Sequence, residues 1–312
     1  MFQILSGQGI IMFLMILVGY VIYRTHLTDH DGNRVISGIL LMVVTPAVLL
    51  DAMISMRYSP EVLRGFFLSI VLGFLSHLVV IPFTQLMLGR KRLHPEIGME
   101  RYLAVYSNCG FMGIPLVSAV FGQEAVIYVT GYMIAFNILT WTHGLIQITG
   151  ETSLRHVLSG LLSPTVLCVL IGIVIFVFRI RIEAHVAKAI WYIGSMNTPM
   201  GMIVAGTALA QTGLRGIWRN PRLFLVTALK LLVAPAVTFV MLLAVRRFLP
   251  LTDAIFYALL IPAACPCATT GMMMALRYDK DYEFASQVFV VSTLLSMLTI
   301  PVLISLARMI AG

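Results

Sequence analysis

The chain has 312 residues, 60% hydrophobic and 11% charged, with a net charge of +8 and a mean hydropathy of +0.97. A water-soluble domain carries roughly a quarter charged residues, so a hydrated globule is excluded and a bilayer is the expected solvent. The basic excess sits in short groups between apolar runs, which is how membrane loops are oriented and argues against nucleic-acid binding.

A segment of about 20 mostly apolar residues crosses a bilayer, and charge clusters with Gly and Pro signals divide the chain into ten. The first, 5–23, belongs to an N-terminus, MFQILSGQG, that carries no Lys or Arg before the apolar run, and no small-residue cleavage signal follows, so it is expected to be retained. The second and third are 35–56, with Pro46 and Asp51, and 65–88, with His77 and Pro82. The fourth, 101–121, is separated from the fifth, 124–149, only by Phe121-Gly122-Gln123-Glu124. The rest are 157–178, 186–211, 222–245, 253–275 and 283–308. No connection is long enough for a soluble domain. Lys and Arg are more numerous after odd-numbered spans, with Arg90-Lys91-Arg92 supplying much of the margin. Those connections are expected to be cytoplasmic and both termini extracytoplasmic. Cys109, Cys168, Cys265 and Cys267 all fall inside spans, which is no disulfide framework.

An internal repeat is visible at an offset of 153 residues, which sets Thr45-Pro46 on Thr198-Pro199, Pro82 on Pro235 and Gly19 on Gly172. The predicted architecture is an all-α polytopic membrane protein: ten transmembrane helices in two five-helix units, 1–150 and 151–312. Five is odd, so the second unit enters from the opposite face and the repeats are inverted. Many secondary transporters are built this way, with the solute site near the midplane at broken helices.

Two segments carry the signs of such breaks. In the fourth span, Asn108-Cys109-Gly110-Phe111-Met112-Gly113-Ile114-Pro115 joins two flexible glycines to a proline that has no amide to donate. The ninth holds Pro262, Cys265, Pro266, Cys267, Thr269 and Thr270. Freed amides at a half-helix N-terminus suit an anion. Asn108, Gly110, Gly113, Pro115, Cys265, Pro266, Thr269 and Thr270 are therefore the candidate solute-binding positions, and Pro46, Pro199 and Pro262 further helix-breaking ones.

The run from Asn108 to Leu116 resembles the fourth-helix motif of the auxin efflux carrier family, which includes plant PIN-like carriers and bacterial malate and malonate permeases. The span-nine prolines, followed by Ala275-Leu276-Arg277-Tyr278, look like the family's second crossover. The resemblance covers essentially the whole chain. It implies that spans 4 and 9 cross at Pro115 and Pro266, that Asn108 meets a solute carboxylate, and that the protein pairs as a homodimer in a plasma membrane, the bacterial inner membrane. Spans 5 and 6 are joined by only a few residues, without the long central loop of plant members. Small organic anions such as malate or malonate are thus favoured over auxin.

Ionisable residues at bilayer depth are rare and usually functional. Asp51 is a candidate to carry a coupling proton or a helix-end carboxylate. Lys230, the repeat partner of His77, is read as balancing solute charge, pairing with Asp51, or snorkelling. His77 and His143 either titrate or bond to neighbouring helices. Asn137, Asn197 and Gln211 either line a cavity or bridge helices. The rival readings are a soft-metal carrier using Cys265-Pro266-Cys267 and an intramembrane enzyme. No phosphate-binding loop is present, His94-Pro95-Glu96 is not a zinc motif, and there is no nucleophile elbow. No enzyme activity, cofactor or resident metal is expected. The expected function is transport of small organic anions by alternating access, with or without proton coupling.

Overall fold

A computed structural model describes residues 1–55, 59–89, 97–150, 164–212 and 220–311, without the side chain of Leu276. Arg90-Lys91-Arg92, His94-Pro95-Glu96, the first part of the predicted sixth span and the 150/151 repeat boundary lie wholly or partly outside these residues. The described residues are helical apart from short connections and one isolated bridge. We number the helices α1 (Phe2–Arg24), α2 (His30–Ile54), α3 (Pro60–Leu88), α4 (Ile97–Val105), α5 (Cys109–Phe121), α6 (Gln123–Thr149) and α7 (Pro164–Phe178). There follow α8 (Ala184–Ser195), α9 (Asn197–Gln211), α10 (Pro221–Arg246), α11 (Asp253–Ala264), α12 (Thr269–Arg277) and α13 (Tyr282–Ala311).

Among the described residues, six helices (α1, α2, α3, α6, α10 and α13) are long and apolar enough to cross a membrane, and α5, α7 and α11 are shorter apolar helices. Their outward faces carry Ile10, Leu14, Val71, Leu170 and Leu298, all exposed. Such a surface is stable against acyl chains and unstable against water. This is a multi-pass membrane protein.

Three prolines are accommodated within these helices by widening the backbone, whereas Pro82, Pro262 and Pro301 lie inside helices without such a turn. Leu40–Val44, Cys109–Gly113 and Leu229–Val233 are each one π-helical turn, and each is followed one residue later by a proline: Pro46, Pro115 and Pro235. A proline removes one i→i−4 bond and pushes its ring against the carbonyl four residues back; an extra residue in the turn relieves that clash. Pro46 therefore does not break α2, which corrects the sequence expectation. Pro262 likewise lies inside α11, two residues before its end. Pro199 is the third residue of α9, just beyond non-helical Met196.

The helices sort into two bundles, each drawing on both ends of the chain. One packs α1 on α9 and α2 on α7 and α8; the other packs α3 on α6, α10 and α4, and α11 on α6 and α10. Small residues let α1 and α9 approach to backbone contact. A Cβ placed on Gly19 would lie 2.8 Å from Ile203 Cα, and one on Gly206 would lie 2.8 Å from Tyr20 N. Gly206→Val is expected to destabilise the protein by roughly 1–3 kcal/mol, since backbone cannot yield as a side chain does. A lowered melting temperature in detergent is the readout, and an unshifted one refutes the contact. Met1, Ile4, Phe121, Asp253 and Arg308 line one shallow cavity, so both termini sit at the same end of the molecule. Near that end Glu183 caps α8. Its carboxylate accepts from the His185 and Val186 amides, and the His185 ring and these amides hold its pKa below the usual value.

Candidate functional site

The two half-helix pairs meet in the middle of the second bundle. α4 ends at Val105 and α5 starts at Cys109; α11 ends at Ala264 and α12 starts at Thr269. The non-helical links cross as a two-residue antiparallel bridge between Ser107 and Cys267. The Asn108 amide donates to the Pro266 carbonyl at 2.8 Å, and the Ala268 amide to the Tyr106 carbonyl at 3.0 Å. Each link satisfies backbone groups that its own helix cannot, which non-helical backbone at membrane depth requires.

The crossing corrects the expected place of the break in the fourth segment. The helix is interrupted at Tyr106–Asn108, seven residues ahead of Pro115, and Gly110 and Gly113 lie in the π turn beyond it. Gly113 packs beside Pro262: an added Cβ would lie 3.5 Å from Pro262 Cα, an ordinary van der Waals contact. In the ninth segment the interruption includes Cys265 and Pro266, as the sequence suggested.

Two opposite electrostatic faces result. On one, the C-termini of α4 and α11 converge on Lys230, whose side chain is fully buried. Its ammonium donates to Ser107 Oγ at 2.5 Å, to the Ala263 carbonyl at 3.1 Å and to the Val105 carbonyl at 3.4 Å. A cation at helix C-termini meets both the orphan carbonyls and the negative dipole ends. Lys230 therefore neither snorkels nor pairs with Asp51, which accepts from Ser55 Oγ near the end of α2. The binding partners of Lys230 are backbone carbonyls and one hydroxyl, so its reach is inward. His77 lines the same small space, its Nδ1 on the Gly73 carbonyl at 2.8 Å and its ring 5.0 Å from that of Tyr132. Its Nε2 is buried and has no hydrogen-bond partner.

On the other face, the N-terminal ends of α5 and α12 line one cavity of about 50 Å³. Asn108, Cys109, Gly110, Phe111, Thr269 and Thr270 all contribute to its wall. The Asn108 side-chain nitrogen and the Thr269 hydroxyl are buried without partners. Thr270 Oγ1 is 2.9 Å from the Tyr102 hydroxyl. Of the candidate solute-binding residues, the structure groups Asn108, Gly110, Thr269 and Thr270 around this cavity. Pro115 lines a different one, and Cys265 and Cys267 are packed into the crossing, where the Cys267 thiol donates to the Leu103 carbonyl at 3.1 Å.

Pro115 faces an outer cleft of about 390 Å³ at the end bearing the termini, lined also by Gln8, Asp51, Ser118, Gln123, Trp191 and Asn197. Asn197 both lines this cleft and bridges helices. Asn137 lines the inner cavity and donates to the Met133 carbonyl, while Gln211 accepts from the Tyr282 hydroxyl. His143 contacts the Tyr106 hydroxyl at 3.0 Å and Gln85 at 3.2 Å, bonded as its structural alternative held. Sequence reasoning missed Tyr106 and Ser107, whose backbone makes the crossing. No local signal marks them, because the partners of that backbone, Pro266 and Ala268, lie far along the chain. Among the described residues, no three His, Cys, Asp or Glu side chains are grouped to hold a metal ion.

Residues 5–304 match the family described as membrane transport protein. An uncharacterized transporter of Methanothermobacter thermautotrophicus is 22% identical over 307 residues, covering 92% of this chain and 93% of that protein. A protein of Rhizobium meliloti named "Putative malonate transporter" is 22% identical over 316 residues, covering 97% and 96%.

Proposed function

From the premise that the chain belongs to this membrane transport protein family, the auxin efflux carrier family that its fourth-span motif resembles, we propose that it carries small organic carboxylates by alternating access. The chain is a membrane transporter and not an enzyme. One observation carries the finer reading: two half-helix N-termini converge on a single cavity whose wall also holds the unpartnered Asn108 amide and Thr269 hydroxyl. Amides and dipole ends aimed into a water-poor space favour an anion, and planar donors suit a carboxylate. Gly110 and Thr270 complete the wall. The name of the Rhizobium relative supports a dicarboxylate such as malonate as the first solute to try.

In this proposal the chain is two inverted five-helix units, 1–150 and 151–312, and ten crossings. The second bundle moves against the first and carries the crossing from one membrane face to the other. Excess Lys and Arg at odd-numbered connections support a bacterial plasma-membrane location with both termini outside. The outer cleft then opens extracytoplasmically. Asp51, the acidic side chain of that cleft, is the proposed proton carrier, Lys230 balances the solute charge across the crossing, and His77 lies beside it. A homodimer follows from the family likeness.

Proteoliposomes containing the purified protein test this with labelled malonate, malate and an aromatic carboxylate, with copper as a control. Saturable uptake of the dicarboxylates, accelerated by an inward proton gradient, is expected. Dicarboxylate flux that ignores the gradient removes Asp51 as a proton carrier. Copper flux without carboxylate flux overturns the whole reading.

A further inference from the structure

The outer cleft and the inner cavity lie on either side of one side chain. Asn197 begins α9, next to the break at Met196, and only 2% of it is exposed. Its Nδ2 donates to the Gly110 carbonyl at 3.0 Å, and its Oδ1 accepts from the Thr45 hydroxyl at 3.2 Å. Asn197 lines the cleft, whereas Thr45 and Gly110 line the inner cavity. Thr45 and Asn197 belong to the first bundle and Gly110 to the second. The hydrogen bond to Gly110 is therefore at once the wall between two cavities and a link between two bundles. The acceptor is available because the π turn sends the Ile114 amide to the Cys109 carbonyl, and Pro115, next in line for Gly110, has no amide to donate. One turn further along α9 the contact is dry: a Cβ on Gly201 would lie 2.8 Å from Phe111 Cγ.

We propose that the Asn197 carboxamide is the bolt between cleft and crossing: solute passes from one to the other only when its bond to the Gly110 carbonyl opens. Thr45 is a positioning residue, because its donated hydrogen bond fixes the oxygen of the amide and so turns the nitrogen toward Gly110. This rests on the transport reading given above. It goes further in assigning the partition to a first-bundle residue outside the crossed helices. Breaking the bond exposes the Gly110 carbonyl and the neighbouring Cys109 thiol, now 1% exposed, to the cleft.

Cys109 reports on the bolt without any solute. The full chain is reconstituted in liposomes, and a membrane-impermeant thiosulfonate is added at the face carrying the termini. Modification of Cys109 is then followed by peptide mass spectrometry. Asn197→Ala and Asn197→Leu, which cannot donate to Gly110, are expected to be modified roughly tenfold faster than the parent, the shift that losing one or two hydrogen bonds permits. Thr45→Val, nearly isosteric, should rise in the same direction by less. In dicarboxylate uptake, the Asn197 variants gain a non-saturable component while the half-saturation concentration of the saturable part holds, a split that general misfolding does not produce. Unchanged Cys109 modification in all three variants overturns the bolt. Should the Asn197 variants fail to fold, an unchanged rate in Thr45→Val does so by itself. Faster modification in protein that carries no carboxylate would keep the bolt and remove the solute assignment.

Discussion

Lys230→Met is expected to abolish uptake and to destabilise the protein. The ammonium reaches the last turns of both α4 and α11, through the Val105 and Ala263 carbonyls, and it also holds Ser107 in the bridge. Methionine matches its length but donates nothing. Each buried acceptor left bare costs roughly 1–3 kcal/mol, and the two helix dipoles lose their counter-charge. The bridge at Ser107 and Cys267 rests on two backbone hydrogen bonds, Asn108 to Pro266 and Ala268 to Tyr106, so it is expected to loosen when Ser107 loses the ammonium. Thermal unfolding in detergent reads the stability, and dicarboxylate uptake normalised to monodisperse protein reads the function. A variant as stable as the parent would show that the carbonyls find other donors. A variant that still transports at the parent rate would remove Lys230 from the mechanism.

Asn108→Ala should give the opposite profile. The side-chain nitrogen is buried and has no partner, so removing it breaks nothing in the resting protein. The backbone bond from Asn108 to Pro266 survives the substitution. Stability is therefore expected to hold within about 1 kcal/mol. On the proposed function, a bound carboxylate loses the hydrogen bond that the Asn108 amide would donate to it, worth about 1.5–3 kcal/mol. The half-saturation concentration for dicarboxylate should rise about ten- to a hundredfold, with maximal flux less affected. An unchanged half-saturation concentration would place the carboxylate elsewhere. Together the two variants separate a residue that holds the crossing from one that holds the cargo.

Much of this was legible in the residues because the bilayer simplifies the reading. Long apolar runs bounded by charge can do little else than cross, and Asn108 to Pro115 stood out against them. The break itself was misplaced toward Pro115 for a local reason. A proline in a membrane helix need not stop it when a five-residue turn can widen, as Cys109–Gly113 does. The true interruption at Tyr106–Asn108 exists because Pro266 and Ala268 approach from far along the chain, and no local signal announces that. Lys230 was hard for the same reason. Its partners at Ala263, Ser107 and Val105 are 33, 123 and 125 residues away, and two of them are backbone groups that carry no sequence signature. Asn197 could not be distinguished as cavity-lining or helix-bridging from sequence, and it is both.

At the end of the molecule away from the termini, α9 and the residue after it meet α13 through the Thr212 and Ser286 hydroxyls, 2.5 Å apart, and through the Tyr282 hydroxyl on Gln211 at 3.4 Å. All four side chains are electrically neutral. Ionic strength has little purchase on such a seam, because screening weakens attraction between full charges and leaves short dipolar contacts nearly intact. Opening that seam is then a matter of exchanging hydroxyl partners for water, a step that dissolved salt is expected to leave almost untouched.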